Sequence, residues 1–180
     1  MRYSANVKKT TKAVVLSALM VALSVVIGFL CKSYLTFGAI RITFENLPVI
    51  IAGFAFGPVF GALAGAASDI VSAVASGYSV NPIITVGAAA VGFTAGLLYR
   101  HVFKGNGFLS IYLSAQIAHV FGSMIIKTVG LHVLYHYGFA VYLPRIPLYI
   151  GIALAESYII YILYKNRRIA RELGGRSDKQ

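Results

Sequence analysis

The chain has 180 residues, of which 58% are hydrophobic and 12% charged, with a mean hydropathy of +0.79. An ordinary soluble domain carries charge on about a quarter of its residues, and a disordered chain combines low hydrophobicity with high net charge. Both classes are excluded, and the length gives a single domain with no room for an ATPase module beside it.

The net charge of +11 would suit nucleic acid, but the 16 basic residues form no stripe. They flank apolar segments, as in a multispanning membrane protein. Arg2, Lys8, Lys9 and Lys12 precede the first apolar run, Arg100 and Lys104 lie in the middle, and Lys165, Arg167, Arg168, Arg171, Arg176 and Lys179 follow the last. The lone cysteine, Cys31, allows no intrachain disulfide and no cysteine-based metal site.

In chain order, residues 13–31 carry no charge and match one bilayer crossing of about 20 residues. Within the mixed segment 32–46, Ile40-Arg-Ile-Thr-Phe44 alternates like a short strand or extended loop. Between residues 46 and 99 the only charge is Asp69, and breakers must divide this run. Gly57-Pro58 separates a short second helix (47–56) from a third (59–75), and the segment 77–82, ending Asn81-Pro82, precedes a fourth (83–99). A basic turn (100–107), a fifth helix (108–131), an aromatic loop (132–143) and a sixth helix follow, the last starting at Pro144 or Pro147 and ending near Tyr164.

The predicted fold is an all-α integral membrane protein, a bundle of six transmembrane helices. Residues 1–12 form a basic N-terminus, 13–164 the bundle and 165–180 a basic tail. Six crossings put both termini on one side with twelve of the 16 basic residues, so that side is expected to be the cytoplasm. Gly53, Gly57, Gly61 and Gly65 recur every fourth residue, as do Gly92 and Gly96, and Ala18 and Ala22 give an alanine version. Such spacing lets helices approach closely in lipid. For the glycines this means packing within the bundle. The alanines either do the same or face a partner.

A charge deep in a membrane is costly and marks a functional candidate. Asp69, Lys127, Arg145 and Glu156 qualify. Arg145, Tyr149, Ile152 and Glu156 share one face of the sixth helix, and Gln116, His119, Ser123 and Lys127 share one face of the fifth. Two polar stripes imply an enclosed polar interior. Lys127 either faces that interior or snorkels to the interface. Asp69 and Glu156 either serve function or pair with a basic neighbour. Lys32, Arg41, Lys127 and Arg145 supply cations near the outer side, among many aromatics. Such a cavity suits a planar ring compound bearing carboxylates.

No phosphate-binding loop, H-E-x-x-H or G-x-S-x-G occurs. His132 and His136 are spaced as a metal pair but have no nearby carboxylate, and His119 is most simply a hydrogen-bonded residue inside the bundle. No metal site and no catalytic residue is expected.

Arg41-Ile-Thr-Phe-Glu-Asn-Leu-Pro48, Ala52-Gly-Phe-Ala-Phe-Gly-Pro58, Gly61-Ala-Leu-Ala-Gly-Ala-Ala-Ser-Asp69, Asn81-Pro82 with Thr85, and the stretch 92–97 together carry a resemblance. The chain resembles the substrate-binding S components of energy-coupling-factor (ECF) vitamin transporters, the folate family most, over about residues 13–164. The resemblance implies a six-helix bundle that captures a vitamin from outside, most simply folate or a related pterin. It would work with a transmembrane coupling subunit and two ATPases in a bacterial cell membrane. ATP would be hydrolysed by those partners, leaving this chain without cofactor and without enzymatic activity. Ala18-Leu-Met-Val-Ala22 matches the family's small-residue motif that contacts the coupling subunit. The histidine of metal-importing members is absent from the N-terminus.

On this reading Arg41, Lys127 and Arg145 engage carboxylates or ring oxygens, Glu45, Asp69 and Asn81 accept hydrogen bonds from ring donors, and Tyr78 and Tyr135 wall the ring. Alternatives are an S component for pantothenate, riboflavin or a queuosine precursor, a stand-alone carrier, and a small membrane enzyme.

Overall fold

A computed structural model of the chain describes residues 2–37, 40–103, 105, 107–135, 143–166 and 169; for 2–9, 36, 37, 40, 41, 134 and 135 it describes the backbone alone. The helices are α1 (Arg2–Tyr34), α2 (Asn46–Phe56), α3 (Pro58–Ala75), α4 (Pro82–Leu97), α5 (Phe108–Ala118), α6 (Lys127–Tyr135) and α7 (Arg145–Lys165). A π-helical turn, Leu98–Val102, extends α4, and a π-helical stretch, His119–Ile126, joins α5 to α6. Counting α5 to α6 as one rod, six helical rods are present among the described residues. Five are long and apolar enough to cross a membrane: Thr10–Tyr34, Pro58–Ala75, Pro82–Val102, Phe108–Val133 and Arg145–Lys165.

Sequence breakers set the boundaries. Gly57 ends α2 and opens α3 at φ 107°, a left-handed backbone that favours glycine, and Pro58 follows at the first helical position, where no N–H is needed. Pro147 lies in the first turn of α7, among the N–H groups that have no partner within the helix, so it does not interrupt it. The alternating segment before α2 forms a small antiparallel hairpin, β1 (Thr36–Phe37) with β2 (Ile40–Arg41), Thr36 opposite Arg41.

The second helix does not have crossing length. Its 11 residues span about 16 Å against a hydrocarbon core of about 30 Å. Nine of them are buried, as expected for a helix that is apolar all round. It lies inside the bundle, where Ile50, Ile51 and Phe54 meet Val91 and Ala95 of α4, Ile111 and Ala115 of α5, and Ile160 of α7. The C-terminal carbonyls of α2 are partly buried. Arg100 reaches them from the π turn: Nε donates to Phe54 O at 3.2 Å and Nη2 to Ala55 O. The basic turn expected at 100–107 thus begins with an arginine that caps another helix.

Glycines draw α2, α3 and α4 together. A Cβ at Gly61 would meet the backbone of Gly92 and would lie 2.7 Å from Gly53 Cα; one at Gly96 would lie 2.7 Å from Gly53 O and 3.0 Å from Pro58 Cα. Bare backbone on both sides is what allows this approach. On α1, by contrast, Ala18 and Ala22 are exposed, in company with Val15, Leu19, Leu23 and Val26.

Contacts define two ends of the bundle. At one end, Phe54 stacks on Tyr99 at 4.1 Å, Tyr99 on Tyr164 at 6.1 Å, and Phe108 meets Tyr161 edge-on at 6.0 Å. At the other end lie Lys32, Glu45, Asp69, Tyr78, Asn81 and Lys127. Expected outcome for the seam: Gly92→Ala lowers stability by about 1–3 kcal/mol, because its methyl meets Gly61 backbone that cannot yield locally. Gly151→Ala, with nothing within 4 Å, shifts it by less than about 0.5 kcal/mol. Thermal unfolding of both variants in detergent checks the contrast.

Candidate functional site

The loop before α2 places Glu45 over α1. Ser24 Oγ donates to Glu45 O at 2.6 Å, and the Glu45 N–H donates to Thr43 Oγ1 at 3.3 Å. These bonds fix the backbone and leave the carboxylate to reach across the bundle. Glu45 Oε1 lies 3.8 Å from Lys127 Nζ, and the Lys127 side chain is 10% exposed. A buried ammonium needs a counter-charge, because its desolvation costs several kcal/mol. Both groups sit against bare backbone. A Cβ at Gly28 would lie 3.0 Å from Glu45 Oε2, and one at Gly87 would lie 2.6 Å from Lys127 Cγ. Two glycines on α1 and α4 thereby seat the two charges.

Beside the pair, Gly28 and Ser72 continue into a small open cleft between α1 and α3, lined also by Val25, Phe29, Lys32 and Ser76. At its mouth Lys32 Nζ stands 4.1 Å from the centre of the exposed Tyr78 ring. Asp69, on α3, accepts a hydrogen bond from Thr85 Oγ1 at 2.7 Å. The same hydroxyl lies 3.1 Å from Asn81 O, so one proton is shared between two acceptors. Asn81 caps α4: Oδ1 accepts from Ile83 N at 2.9 Å, and Nδ2 donates to Gly130 O at 3.5 Å.

A second polar group lies deeper, between the π-helical stretch and α7. His119 Nε2 is 2.7 Å from Glu156 Oε2, both side chains fully buried, and His119 Nδ1 is 3.3 Å from Ser123 Oγ. The His119 ring packs on Tyr149 with centroids 5.5 Å apart, and Arg145 Nη2 donates to Tyr149 OH at 3.3 Å. The face predicted on the sixth helix is therefore real: Tyr149, Ile152 and Glu156 are buried along it. The face predicted on the fifth divides. His119 and Ser123 serve α7, whereas Lys127 lies against α4 and Glu45. The intervening turns are π-helical and take more residues each, so a stripe counted in α-helical steps loses register.

Of the predicted site residues, the structure joins Glu45 to Lys127, and Asp69 to Asn81 through Thr85. Tyr78 meets Lys32, and Arg145 stands apart on Tyr149. Arg41 ends β2 and Tyr135 ends α6, with their side chains outside the described residues. His136 also lies outside the described residues, so the His132–His136 pair does too. Among the described residues no three His, Cys, Asp or Glu side chains converge to hold a metal ion. The Lys127 side chain is buried against Gly87 and Glu45, and among the described residues Asp69 is partnered by a threonine in place of the basic neighbour considered for it. Thr85, Gly28 and Gly87 were not singled out as site residues. Asn81-Pro82 did carry a readable signal, since asparagine followed by proline is a helix start. Asn81→Ala is expected to lower stability by about 0.5–2 kcal/mol through the lost cap. Asn81→Asp, which keeps the acceptor, should retain most of it; ligand-free melting curves of both variants check this.

The family model for the substrate-specific component of ECF transporters matches residues 12–165. Among solved structures, a crystal structure of FolT bound with folic acid superposes with a TM-score of 0.69 at 22% identity, covering 93% of this chain and 99% of that one. At that identity the likeness establishes the fold. No curated protein matches the chain by sequence. With the family model spanning nearly all of the helical bundle, the chain belongs to the family of ECF transporter substrate-specific components, and it is a substrate-binding subunit of a multi-pass membrane transporter, not an enzyme.

Proposed function

We propose that the protein captures folate or a related pterin from outside a bacterial cell and delivers it with a transmembrane coupling subunit and two ATPases. The observation that carries this reading is Lys127: a cation kept nearly buried at the loop-bearing end of the bundle, over the bare backbone of Gly87. An ammonium has several donors, and its contact with Glu45 is long at 3.8 Å. It can therefore take a ligand carboxylate. The likeness to a folate-bound FolT structure supports a ligand with a planar ring and a dicarboxylate tail.

In this reading Lys127, Arg145 and Arg41 engage carboxylates or ring oxygens. Glu45 and Asp69 accept hydrogen bonds from ring amino groups, while Asn81 holds the start of α4 beside them. Tyr78 and Tyr135 wall the ring. The loop-bearing end faces outside and the termini lie in the cytoplasm, in accord with the placement of most basic residues. The exposed Ala18 and Ala22 face the coupling subunit.

Calorimetry in detergent tests this. Folic acid is expected to bind the wild-type protein, and Lys127→Gln to weaken binding by about 2–5 kcal/mol, the usual cost of removing one member of a desolvated charged pair. Mass spectrometry of co-purifying small molecules is the companion measurement. No heat with folic acid and a different vitamin in the mass spectrum would reassign the ligand. Unchanged affinity in the variant would remove Lys127 from the site.

A further inference from the structure

Arg145, Tyr149, His119 and Glu156 form a connected row from the start of α7 to the middle of the bundle. Arg145 Nη2 donates to Tyr149 OH at 3.3 Å, and the guanidinium carbon lies 5.5 Å from the centre of the same ring. The Tyr149 ring packs at 5.5 Å and 35° on the imidazole of His119. His119 is held at both nitrogens, by Ser123 Oγ at 3.3 Å and Glu156 Oε2 at 2.7 Å. Tyr149 is 7% exposed, and His119 and Glu156 are fully buried. Among the described residues Glu156 Oε1 has no hydrogen-bond partner.

A fully buried imidazole–carboxylate pair is a poor way to stabilise a bundle. Well-packed apolar residues of similar size commonly do as well or better. What such a pair supplies is a fixed orientation, here of the ring that Tyr149 rests upon. Arg145 is only half-buried and, left alone, would sample many rotamers. Ordering such a side chain on binding weakens affinity, and holding it beforehand removes that cost.

We propose that Tyr149, His119 and Glu156 are positioning residues that hold Arg145 ready for the anionic part of the ligand. The proposal rests on the reading of Arg145 as a ligand-binding cation. It adds that three residues without ligand contact set the preference for a charged ligand over an uncharged one.

The test compares folic acid with its diamide, uncharged at the glutamate, by calorimetry on the full-length protein in detergent. Tyr149→Phe keeps the ring on His119 and removes only the hydroxyl that Arg145 uses. Glu156→Gln keeps the shape and removes the charge. Each is expected to lower folic acid affinity about tenfold while leaving diamide affinity within about twofold, as for groups coupled through one network. Tyr149→Phe should add nothing in an Arg145→Gln background. Equal loss for both ligands, or loss for neither, would overturn the positioning role and show the row to be packing alone, while leaving the reading of Arg145 intact. Unchanged folic acid affinity in Arg145→Gln itself would overturn both that reading and the proposal. Should Glu156→Gln fail to fold, Tyr149→Phe still decides.

Discussion

The absence of side chains at Gly61 and Gly92 is the constraint on which the rest of the bundle depends. A single methyl at either position would overlap the backbone of the other. Burial of apolar surface gives helices little reason to associate in lipid, so close backbone approach has to supply much of the drive. Once α3 lies this close to α4, Asp69 and Thr85 meet at 2.7 Å. The same seam carries Gly53 against Gly96, which draws in α2 and brings the loop before it over α1. Glu45 then stands within reach of Lys127. The site is thus a consequence of how the helices pack, and its charged members could not meet in a looser bundle.

Placing a short helix inside a membrane protein has a consequence at its end. The last carbonyls of a helix find no partner within it, and away from water each unmet group costs several kcal/mol. At α2 the solution is Arg100, which serves two of these carbonyls. At the start of α4 the solution is Asn81, whose side chain takes the Ile83 N–H. Both residues looked from the sequence like candidates for membrane-side charge or ligand contact. Their surroundings show each spending its polar atoms on backbone.

Much of the fold was legible because glycine and proline mark chain breaks by their own backbone limits. Gly57-Pro58 and Asn81-Pro82 gave the ends of α2, α3 and α4 to within a residue or two, and the alternation at Ile40–Arg41 marked the second strand of a real hairpin. What could not be read depends on neighbours distant in sequence. The π-helical stretch packs on α4 and α7, and nothing local announced that His119 and Lys127, at its two ends, would serve different partners. The roles of Gly28 and Gly87 exist only because charged side chains from other helices lie over them. Glu156 finds its partner 37 residues away, on another helix. The polarity of the site was visible in the sequence, and its pairing was not.

The two polar groups differ in a way that assigns them different work. At the loop-bearing end, Glu45 is 23% exposed and its contact to Lys127 is long, while Tyr78 is largely open. These groups remain free to exchange partners. The His119–Glu156 pair is short and fully enclosed, so exchange there would mean opening the bundle. The opposite end is occupied by the Phe54–Tyr99–Tyr164 stack above the capped end of α2. Charged groups that can be reached therefore gather at one end of the bundle and aromatic packing at the other.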